Sequence, residues 1–435
     1  MRIWIKNGRV IDPGRFEGVA DILIENGQIA ELIPEGEKNN SPKAAEYNQD
    51  RVINARNLLV VPGLIDMHVH LREPGQEYKE TIETGTMAAA AGGFTAVCCM
   101  PNTQPANDCA QVTRFIAEKA CKCGHAAVYP VGAMTMGLKG KLLAEYGDMK
   151  EAGAIAVSDD GHPVADSQVM RRALEYARGI GLPVISHCEE ASLSCGVMNE
   201  GPVSTKMGLA GIPNAAESIM VMRDIALCAL TKSSLHIAHV STRESIDALR
   251  AAKKKGILVT AETAPHYFTI TDESVFGYNT HAKMNPPLRN SQDLKAVRKG
   301  LADGTIDVIA TDHAPHSVME KQIEFDLAAN GITGLETALP LGLALVSDGV
   351  LTLTALIEKM AVNPAKIIGL SRKITPGAPA DLTIIDREEK FTYIATNGYS
   401  KSKNSPFDGW EFTGRAAYTI SGGRITYERM NTVDG

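Results

Sequence analysis

The chain has 435 residues, of which 44% are apolar and 22% charged, and its net charge is −7. This balance is typical of a globular protein and excludes a disordered one, and without a basic excess to neutralise phosphates a nucleic-acid partner is disfavoured. No run of about 18 apolar residues and no export signal is recognisable, so we expect no membrane span and a cytoplasmic protein with reduced cysteines.

Both ends of the chain have the sequence pattern of β-strands joined by tight turns. The Asn-Gly pairs at Asn7 and Asn26 predict tight turns between alternating apolar and polar runs. The C-terminal segments ADLTIID, near Asp381, and AAYTISGGRITYE, around Gly422, have the same character. Because the two ends resemble each other and differ from the middle, we predict that residues 1–60 and 367–435 together form one small β-sandwich domain.

The middle of the chain, residues 61–366, alternates short apolar runs with helix-like segments. The runs are LLVVPGLIDMHVH, FTAVCCM, AAVYPVGA, AIAVSDD, LPVISH, LHIAHV, ILVTAET and IDVIATDH. Eight strands with intervening helices predict an α/β protein whose catalytic part is a (β/α)8 barrel. In such barrels the chemistry lies at the C-terminal ends of the strands.

Metal-binding side chains stand at several of these strand ends. They are His68 and His70 after strand one, Asp159 and Asp160 after strand four, His187 after strand five, His239 after strand six, and Asp312 and His313 after strand eight. Residues i and i+2 of a strand point to one side, so the rings of His68 and His70 can reach one ion. A single histidine at a strand end is usually structural, but together these residues suit two adjacent divalent ions that share a bridging carboxylate.

Three further residues each allow two interpretations. Asp312 can bind a metal and pass a proton to a leaving nitrogen, or it can cap the following helix. His236 lies inside strand six, where a packed core histidine is the better interpretation. His266 follows strand seven and is a weaker candidate for the mouth of the barrel.

Other polar residues after the strands predict a pocket for a small molecule that carries a carboxylate. Arg72 offers a guanidinium that can pair with a carboxylate through two hydrogen bonds. The remaining candidates are Asn102, Asn285 and His316, with backbone groups of Asn330 and Gly331. For Asn102 and Asn285 a role in a turn fits the sequence nearly as well.

These motifs resemble those of the dihydroorotases of the amidohydrolase superfamily. The segments DMHVHLREPG, MPNT, SDDG, HVST, NPPLR and ATDHAPH, with Lys321 five residues beyond, follow in that order along essentially the whole chain. The likeness is greatest to the long bacterial type, which implies a TIM-like metal-dependent hydrolase barrel with a flanking β-domain. It also implies the zinc-dependent, reversible cyclisation of N-carbamoyl-L-aspartate to L-dihydroorotate in pyrimidine (UMP) biosynthesis.

The resemblance implies a role for each candidate residue. His68, His70 and Asp312 would hold one zinc ion, His187 and His239 a second, and Asp160 would bridge or support both. Asp312 would also be the general acid and base beside a metal-bridging hydroxide. The residues implied for the substrate are His70, Arg72, Asn102, Asn285, His316, Asn330 and Gly331. One or two zinc ions per chain are therefore expected.

The chain departs from many relatives at the end of strand four. Hydantoinases, dihydropyrimidinases and other dihydroorotases place a carboxylated lysine there, whereas this chain has no lysine between Lys150 and Lys206. An aspartate must substitute. The spacing leaves Asp159 and Asp160 both open, and alignment with the long bacterial type favours Asp160.

Two other functions stay open at this point. A related cyclic amidase, such as an allantoinase or hydantoinase, shares the barrel but usually needs the missing lysine. A non-catalytic scaffold subunit of aspartate carbamoyltransferase would be expected to have lost the ligand histidines that this chain keeps. We expect a homo-oligomer and leave a complex with that transferase open. Residues 316–331 are long enough for a lid, although an ordinary surface loop fits equally.

Overall fold

The structure is a computed structural model that describes residues 2–40 and 51–429. Residues 1, 41–50 and 430–435, which the sequence assigns to the small β-domain, lie outside the described residues. Within the described ranges, no helix combines the length and the apolar character needed to cross a bilayer.

The N-terminal segment consists of strands, as its texture predicts. They are β1 (Arg2–Asp12), β2 (Phe16–Glu25), β3 (Gln28–Pro34), β4 (Arg51–Asn54) and β5 (Leu59–Pro62). The Asn26 turn is confirmed, since it joins β2 to β3 with a φ of 51° at Asn26. The turn predicted at Asn7 is wrong. Lys6 and Asn7 form a bulge opposite Asp21 inside β1, whose pairing with β2 continues at Ile5 and Gly8 on either side. The Asn7 N–H donates to Asp21 Oδ1 at 2.8 Å.

Eight parallel strands form the barrel, which confirms the predicted fold. Its strands are β6 (Leu64–Val69), β7 (Phe94–Cys99), β8 (Ala127–Ala133), β9 (Ala156–Ser158), β10 (Val184–Ser186), β13 (Leu235–Ile237), β14 (Val259–Thr263) and β15 (Val308–Ile309), while β11 (Met198–Asn199) and β12 (Gly211–Ile212) pair in a loop. A parallel bridge between Val69 and His313 joins the first strand to the last.

The run LLVVPGLIDMHVH is divided between two sheets, so its prediction as one strand is wrong. Its first part is β5, which pairs with β1 in the terminal sheet, and its second part is β6 in the barrel. Gly63 stands between them, where a Cβ would lie 2.3 Å from Thr95 Oγ1. The close approach of Thr95 requires glycine at this crossing between the sheets.

Helices follow most barrel strands and pack outside them. They are α1 (Ile82–Ala91), α2 (Ala110–Cys123), α3 (Tyr146–Glu151), α4 (Ser167–Ile180), α5 (Pro202–Met207), α6 (Ala215–Thr231), α7 (Arg243–Lys254), α8 (Pro265–Thr269), α9 (Ser291–Ala302), α10 (Val318–Lys321), α11 (Ala338–Ser347), α12 (Leu353–Ile357) and α13 (Asn363–Ile367). Side-chain caps define several starts: Asp166 caps α4, Thr242 caps α7 and Asn290 caps α9.

The C-terminal strands complete the sheet that the N-terminus begins. They are β16 (Leu382–Thr392), β17 (Glu411–Ser421) and β18 (Arg424–Glu428), and the strand order is β18-β17-β16-β5-β1-β2-β3 with β4 against β1. Buried side chains of both ends, such as Ile5, Ile22 and Ile384, form a cluster distinct from the barrel core. Both ends of the chain therefore contribute to one small β-domain, as predicted, and its strands belong to a single sheet.

Candidate metal centre and substrate pocket

The predicted metal ligands meet at the C-terminal mouth of the barrel. His68 lies in β6, and the others follow the strands β6, β9, β10, β13 and β15: His70, Asp160, His187, His239 and Asp312. All six side chains are buried. Three distances define the cluster: 3.2 Å from His68 Nε2 to Asp160 Oδ1, 3.1 Å from His70 Nε2 to Asp312 Oδ1, and 2.8 Å from His187 Nδ1 to His239 Nε2.

The cluster has the donor atoms of a divalent-metal site. Two sets, His68 with His70 and Asp312, and His68 with Asp160 and His239, each bring three ligand atoms within 4.8 Å of one another. His68 Nε2 and Asp160 Oδ1 are also buried without a hydrogen-bond partner. Buried polar atoms without partners are costly, and imidazole nitrogens with carboxylate oxygens are common zinc ligands. The residues present therefore fit a divalent ion.

Only one of the two aspartates after β9 faces this cluster. Asp160 Oδ1 lies 3.6 Å from His239 Nε2 as well as close to His68. The Asp159 carboxylate instead accepts a hydrogen bond from the Thr135 N–H at 2.9 Å. Burial raises the pKa of Asp159 to about 6. Burial alone would also raise the pKa of Asp160, but the surrounding histidines, His68 first, hold it well below its usual range.

Glu262, which the sequence reasoning missed, orients His68. Its Oε1 lies 2.7 Å from His68 Nδ1, and its Oε2 lies 3.1 Å from Nε2 of His236. His236 is thus buried beside a carboxylate inside the barrel and does not reach the mouth. Because Nδ1 of His68 is occupied, Nε2 is the atom that faces the cluster. The signal in the sequence that could have identified Glu262 is a charged residue inside the apolar run ILVTAET.

Three of the candidate residues have strained backbone conformations. The φ angle is 60° at Arg72, 34° at His239 and 49° at Asp312. Residues other than glycine rarely adopt positive φ, and such strain concentrates at functional sites. The fold holds these side chains in place at a conformational cost.

A cavity of about 220 Å³ opens beside the cluster. Its walls include the predicted residues His70, Arg72, Asn102, Asp160, His187, His239, Asn285, Asp312, His316 and Asn330, together with Gly161, Met284 and Ala314. Two of the predicted asparagines touch residues of the cluster or its neighbours. Asn102 Oδ1 lies 2.8 Å from His70 Nδ1, and Asn285 Nδ2 donates to Glu189 Oε2 at 3.3 Å, the same oxygen that lies 3.3 Å from His187 Nε2.

Arg72 is fixed by the loop after β15. Its Nε donates to the Pro315 carbonyl at 3.2 Å, and its Nη2 donates to His316 Nε2 at 3.3 Å. Burial and the charge of Arg72 lower the pKa of His316 to about 2, so this ring is neutral and can accept the hydrogen bond. The arrangement holds a guanidinium at the cavity wall.

Gly331 and His266 lie outside the cavity wall. The Gly331 N–H donates to the Lys283 carbonyl at 2.9 Å, and its own carbonyl accepts from Lys321 Nζ at 3.1 Å. A Cβ on Gly331 would lie 2.7 Å from Cδ2 of His316, so Gly331 packs directly behind that ring. His266 is buried against Tyr267, and burial lowers its pKa to about 4.

Residues 316–331, considered above as a lid or a surface loop, are tied together by Lys321. This residue ends α10, is buried, and donates from Nζ to the carbonyls of Ala329 at 2.8 Å and Gly331 at 3.1 Å. The segment also contains exposed apolar residues, among them Met319, which is 86% exposed. The segment is thus held together by hydrogen bonds of the buried Lys321, while apolar side chains lie on its outer surface.

Comparison with known proteins agrees with this geometry. A family model described as Dihydro-orotase-like matches residues 57–245. The dihydroorotase of Geobacter sulfurreducens is 59% identical over 432 residues, which cover 99% of this chain and 100% of that one. The dihydroorotase of Desulforapulum autotrophicum is 56% identical over 430 residues, with 99% and 100% covered.

Solved structures share the fold across its full length. The L-hydantoinase (dihydropyrimidinase) of Arthrobacter aurescens superposes with a TM-score of 0.88 at 25% identity, covering 99% of this chain and 97% of that one. The D-hydantoinase (dihydropyrimidinase) of a Thermus species gives 0.81 at 24% identity, with 98% and 95% covered. These likenesses show the fold, and the identity to full-length dihydroorotases shows that the chain belongs to the dihydroorotase family, whose members are cyclic amide hydrolases of the amidohydrolase superfamily.

Proposed function

We propose that this chain interconverts L-dihydroorotate and N-carbamoyl-L-aspartate at the mouth of the barrel, as a zinc-dependent dihydroorotase of pyrimidine biosynthesis. The observation that carries the proposal is the position of Arg72 at the wall of the cavity that the histidine and aspartate cluster also lines. A guanidinium suits the free carboxylate of either substrate. The cluster suits chemistry on the neighbouring amide bond.

The proposed ligands divide into two groups. His68, His70 and Asp312 would hold one zinc ion, His187 and His239 would hold a second, and Asp160 would lie between them. Bound divalent ions polarise an amide carbonyl and lower the pKa of a water molecule, so that it becomes a nucleophile at neutral pH. The aspartate between the two groups takes the place of the lysine that many relatives carry.

Asp312 is the proposed general acid and base. Burial raises the pKa of Asp312, but the charge of His68 and the hydrogen bond with His70 lower it by more. The net pKa therefore lies below the usual value, and the carboxylate is ionised at neutral pH. In the hydrolytic direction it would take a proton from the attacking water and return it to the departing ring nitrogen. In the synthetic direction the same transfers run backwards.

The polar wall of the cavity is the proposed basis of substrate selection. Arg72, held by Pro315 and His316, would pair with the carboxylate, while Asn285 and Asn330 lie on the same wall. Hydantoin and allantoin lack this carboxylate, so the N–H groups of the buried guanidinium that Pro315 and His316 do not use would lose their carboxylate partner, which is unfavourable. The pocket should therefore select dihydroorotate over those two rings.

Parallel assays of L-dihydroorotate, hydantoin and allantoin test the proposal, with protein whose metal content has been measured. We expect turnover of dihydroorotate alone, loss of activity on chelation, and recovery with zinc. Faster turnover of hydantoin or allantoin would contradict it in favour of a related cyclic amidase. Bound metal without any turnover would favour the scaffold role, and the assay would then be repeated with aspartate carbamoyltransferase added.

We further propose that the chain functions in the cytoplasm as a homo-oligomer. All eight cysteines are free thiols, as a reducing compartment would require. The exposed side chains of Met319 and Leu327 offer apolar surface for a neighbouring subunit. Light scattering after size exclusion, with and without aspartate carbamoyltransferase, tests both the oligomer and that complex.

A further inference from the structure

One long connection between two strands of the terminal sheet lies against the loops at the mouth of the barrel. Residues 393–410 join β16 to β17, and several of their side chains are buried although they lie outside the sheet. The connection is anchored independently at the segment that precedes α1, where the Lys401 N–H donates to Glu80 Oε1 at 3.0 Å and Ser402 Oγ donates to the Lys79 carbonyl at 2.6 Å. These contacts fix the connection without help from the cavity residues.

Asn404 is a residue of this connection that contacts the backbone behind the wall of the cavity. Its side chain is only 1% exposed. Its Nδ2 donates to the carbonyls of Ala314 and Gly331, each at 3.0 Å, and its Oδ1 accepts from the His316 N–H at 3.0 Å. Both donors and the acceptor of the amide are therefore used on the loops that follow β15.

The Ala314 and His316 bonds lie on either side of Pro315, whose carbonyl accepts the hydrogen bond from Arg72 Nε. Asn404 thus fixes the peptide that orients the guanidinium, as well as the backbone of the histidine that contacts Arg72 Nη2. Side chains that must hold one geometry need such support from neighbouring hydrogen bonds. The chain of contacts runs from the terminal sheet through Asn404 to Arg72.

We propose that Asn404 is a positioning residue for substrate binding, through which the terminal sheet controls the orientation of Arg72 and His316. This inference deepens the proposed function and rests on it for its kinetic consequences. Since Asn404 does not line the cavity itself, its effect should fall on substrate binding, with the chemical step largely preserved. The terminal sheet then contributes to the active site as well as to folding.

Hydrogen–deuterium exchange provides a test that is independent of activity. In Asn404→Ala, amides of residues 314–332 should exchange about tenfold faster than in the wild type, while barrel strands keep their protection. Asn404→Asp keeps the side-chain volume and the acceptor oxygen but loses both N–H donors, so exchange of the same amides should also become faster. This variant replaces Asn404→Ala if the alanine variant does not fold. Unchanged exchange of residues 314–332 in the folded variants would overturn the inference.

Steady-state kinetics with L-dihydroorotate separate positioning from general destabilisation. We expect KM to rise about tenfold while kcat changes less than about threefold. Asn363→Ala is the matched control, because Asn363 Nδ2 donates to the Asp307 carbonyl at 2.9 Å and does not line this cavity; its KM should stay that of the wild type. An unchanged KM in the Asn404 variants, or the same KM rise in the control, would overturn the inference. A wild type without turnover would refute the proposed function alone, and exchange would then decide the role of Asn404.

Discussion

Nδ1 of His68 lies 2.7 Å from Oε1 of Glu262, which leaves Nε2 directed at Asp160, 3.2 Å away. A carboxylate behind a ligand histidine fixes the ring orientation and raises its basicity. The same carboxylate contacts His236 at 3.1 Å. Glu262 thus links a core histidine to the candidate metal centre.

Replacing Glu262 by glutamine should weaken metal binding by about 10- to 100-fold, because the neutral amide supports the His68 ring less well. Competition with a chromogenic zinc chelator measures this affinity. Glu175→Gln, on the surface of α4 where Glu175 pairs with Arg171, serves as the control and should keep the wild-type affinity. Equal affinities in the two variants would show that Glu262 does not support the metal.

The adjacent aspartates after β9 offer a matched pair. Asp160→Asn should lose bound zinc and turnover, since its carboxylate faces His68 and His239. Asp159→Asn should keep zinc and lose only about 1–3 kcal/mol of unfolding free energy, because it weakens the bonds with Thr135. Elemental analysis and urea unfolding of both variants check this. Loss of zinc in Asp159→Asn alone would reverse the assignment.

Arg72→Lys should raise KM for dihydroorotate by about 10- to 100-fold with a smaller change in kcat. Arg72 donates to the Pro315 carbonyl and to His316 Nε2 from two different nitrogens. The single nitrogen of a lysine cannot reproduce this planar fork and also pair with a carboxylate through two hydrogen bonds, so the charge would lose its orientation. Initial rates over a range of substrate concentrations give both constants. A KM equal to that of the wild type would remove Arg72 from the substrate site.

Stability should depend on pH through Glu336, which is not one of the proposed metal ligands. Burial raises its pKa from 4.5 to about 7, although its carboxylate accepts hydrogen bonds from the backbone N–H groups of Tyr399 and Ser400. The folded state therefore holds this proton more tightly than the unfolded state. The associated stability is present below pH 4.5 and is lost as the pH rises through 7.

Glu336→Gln cannot ionise and should escape this loss. Relative to the wild type, the variant should gain about 3 kcal/mol of unfolding free energy between pH 5 and pH 8. Denaturant unfolding of both proteins at the two pH values measures the difference, and Glu388→Gln, at an exposed site, should show no such change. A difference between wild type and Glu336→Gln that is constant with pH would contradict the burial effect.

The barrel and the terminal β-domain could be predicted from the sequence because apolar runs, helix-like segments and turn residues are local properties of the chain. The candidate residues could be named because each follows an apolar run, as His187 follows β10 and His239 follows β13. The spacing could not decide between Asp159 and Asp160, since β9 ends at Ser158 and the alternation of a strand does not extend beyond it; the preference for Asp160 came from the family resemblance alone.

The sequence analysis missed the residues that support other site residues through hydrogen bonds. Glu262 and Asn404 belong to segments far from their partners in sequence, and only the tertiary structure brings them to His68 and His316. The Asn7 bulge was misread for a related reason. An Asn-Gly pair favours positive φ in a turn or in a bulge, and the continued pairing of β1 with β2 decides between them.

The pairing of β5 with β16 also sets the order in which the protein can be assembled during synthesis. β5 pairs with β1 along one edge and with β16 along the other. Because β16 follows all the barrel strands in sequence, it is synthesised after them, and until then the second edge of β5 has no partner. Asn404 follows later still. A growing chain can therefore bring the histidine and aspartate cluster together before the support of Arg72 exists, and a chain that ends early would carry an unpaired β5 edge, which favours aggregation.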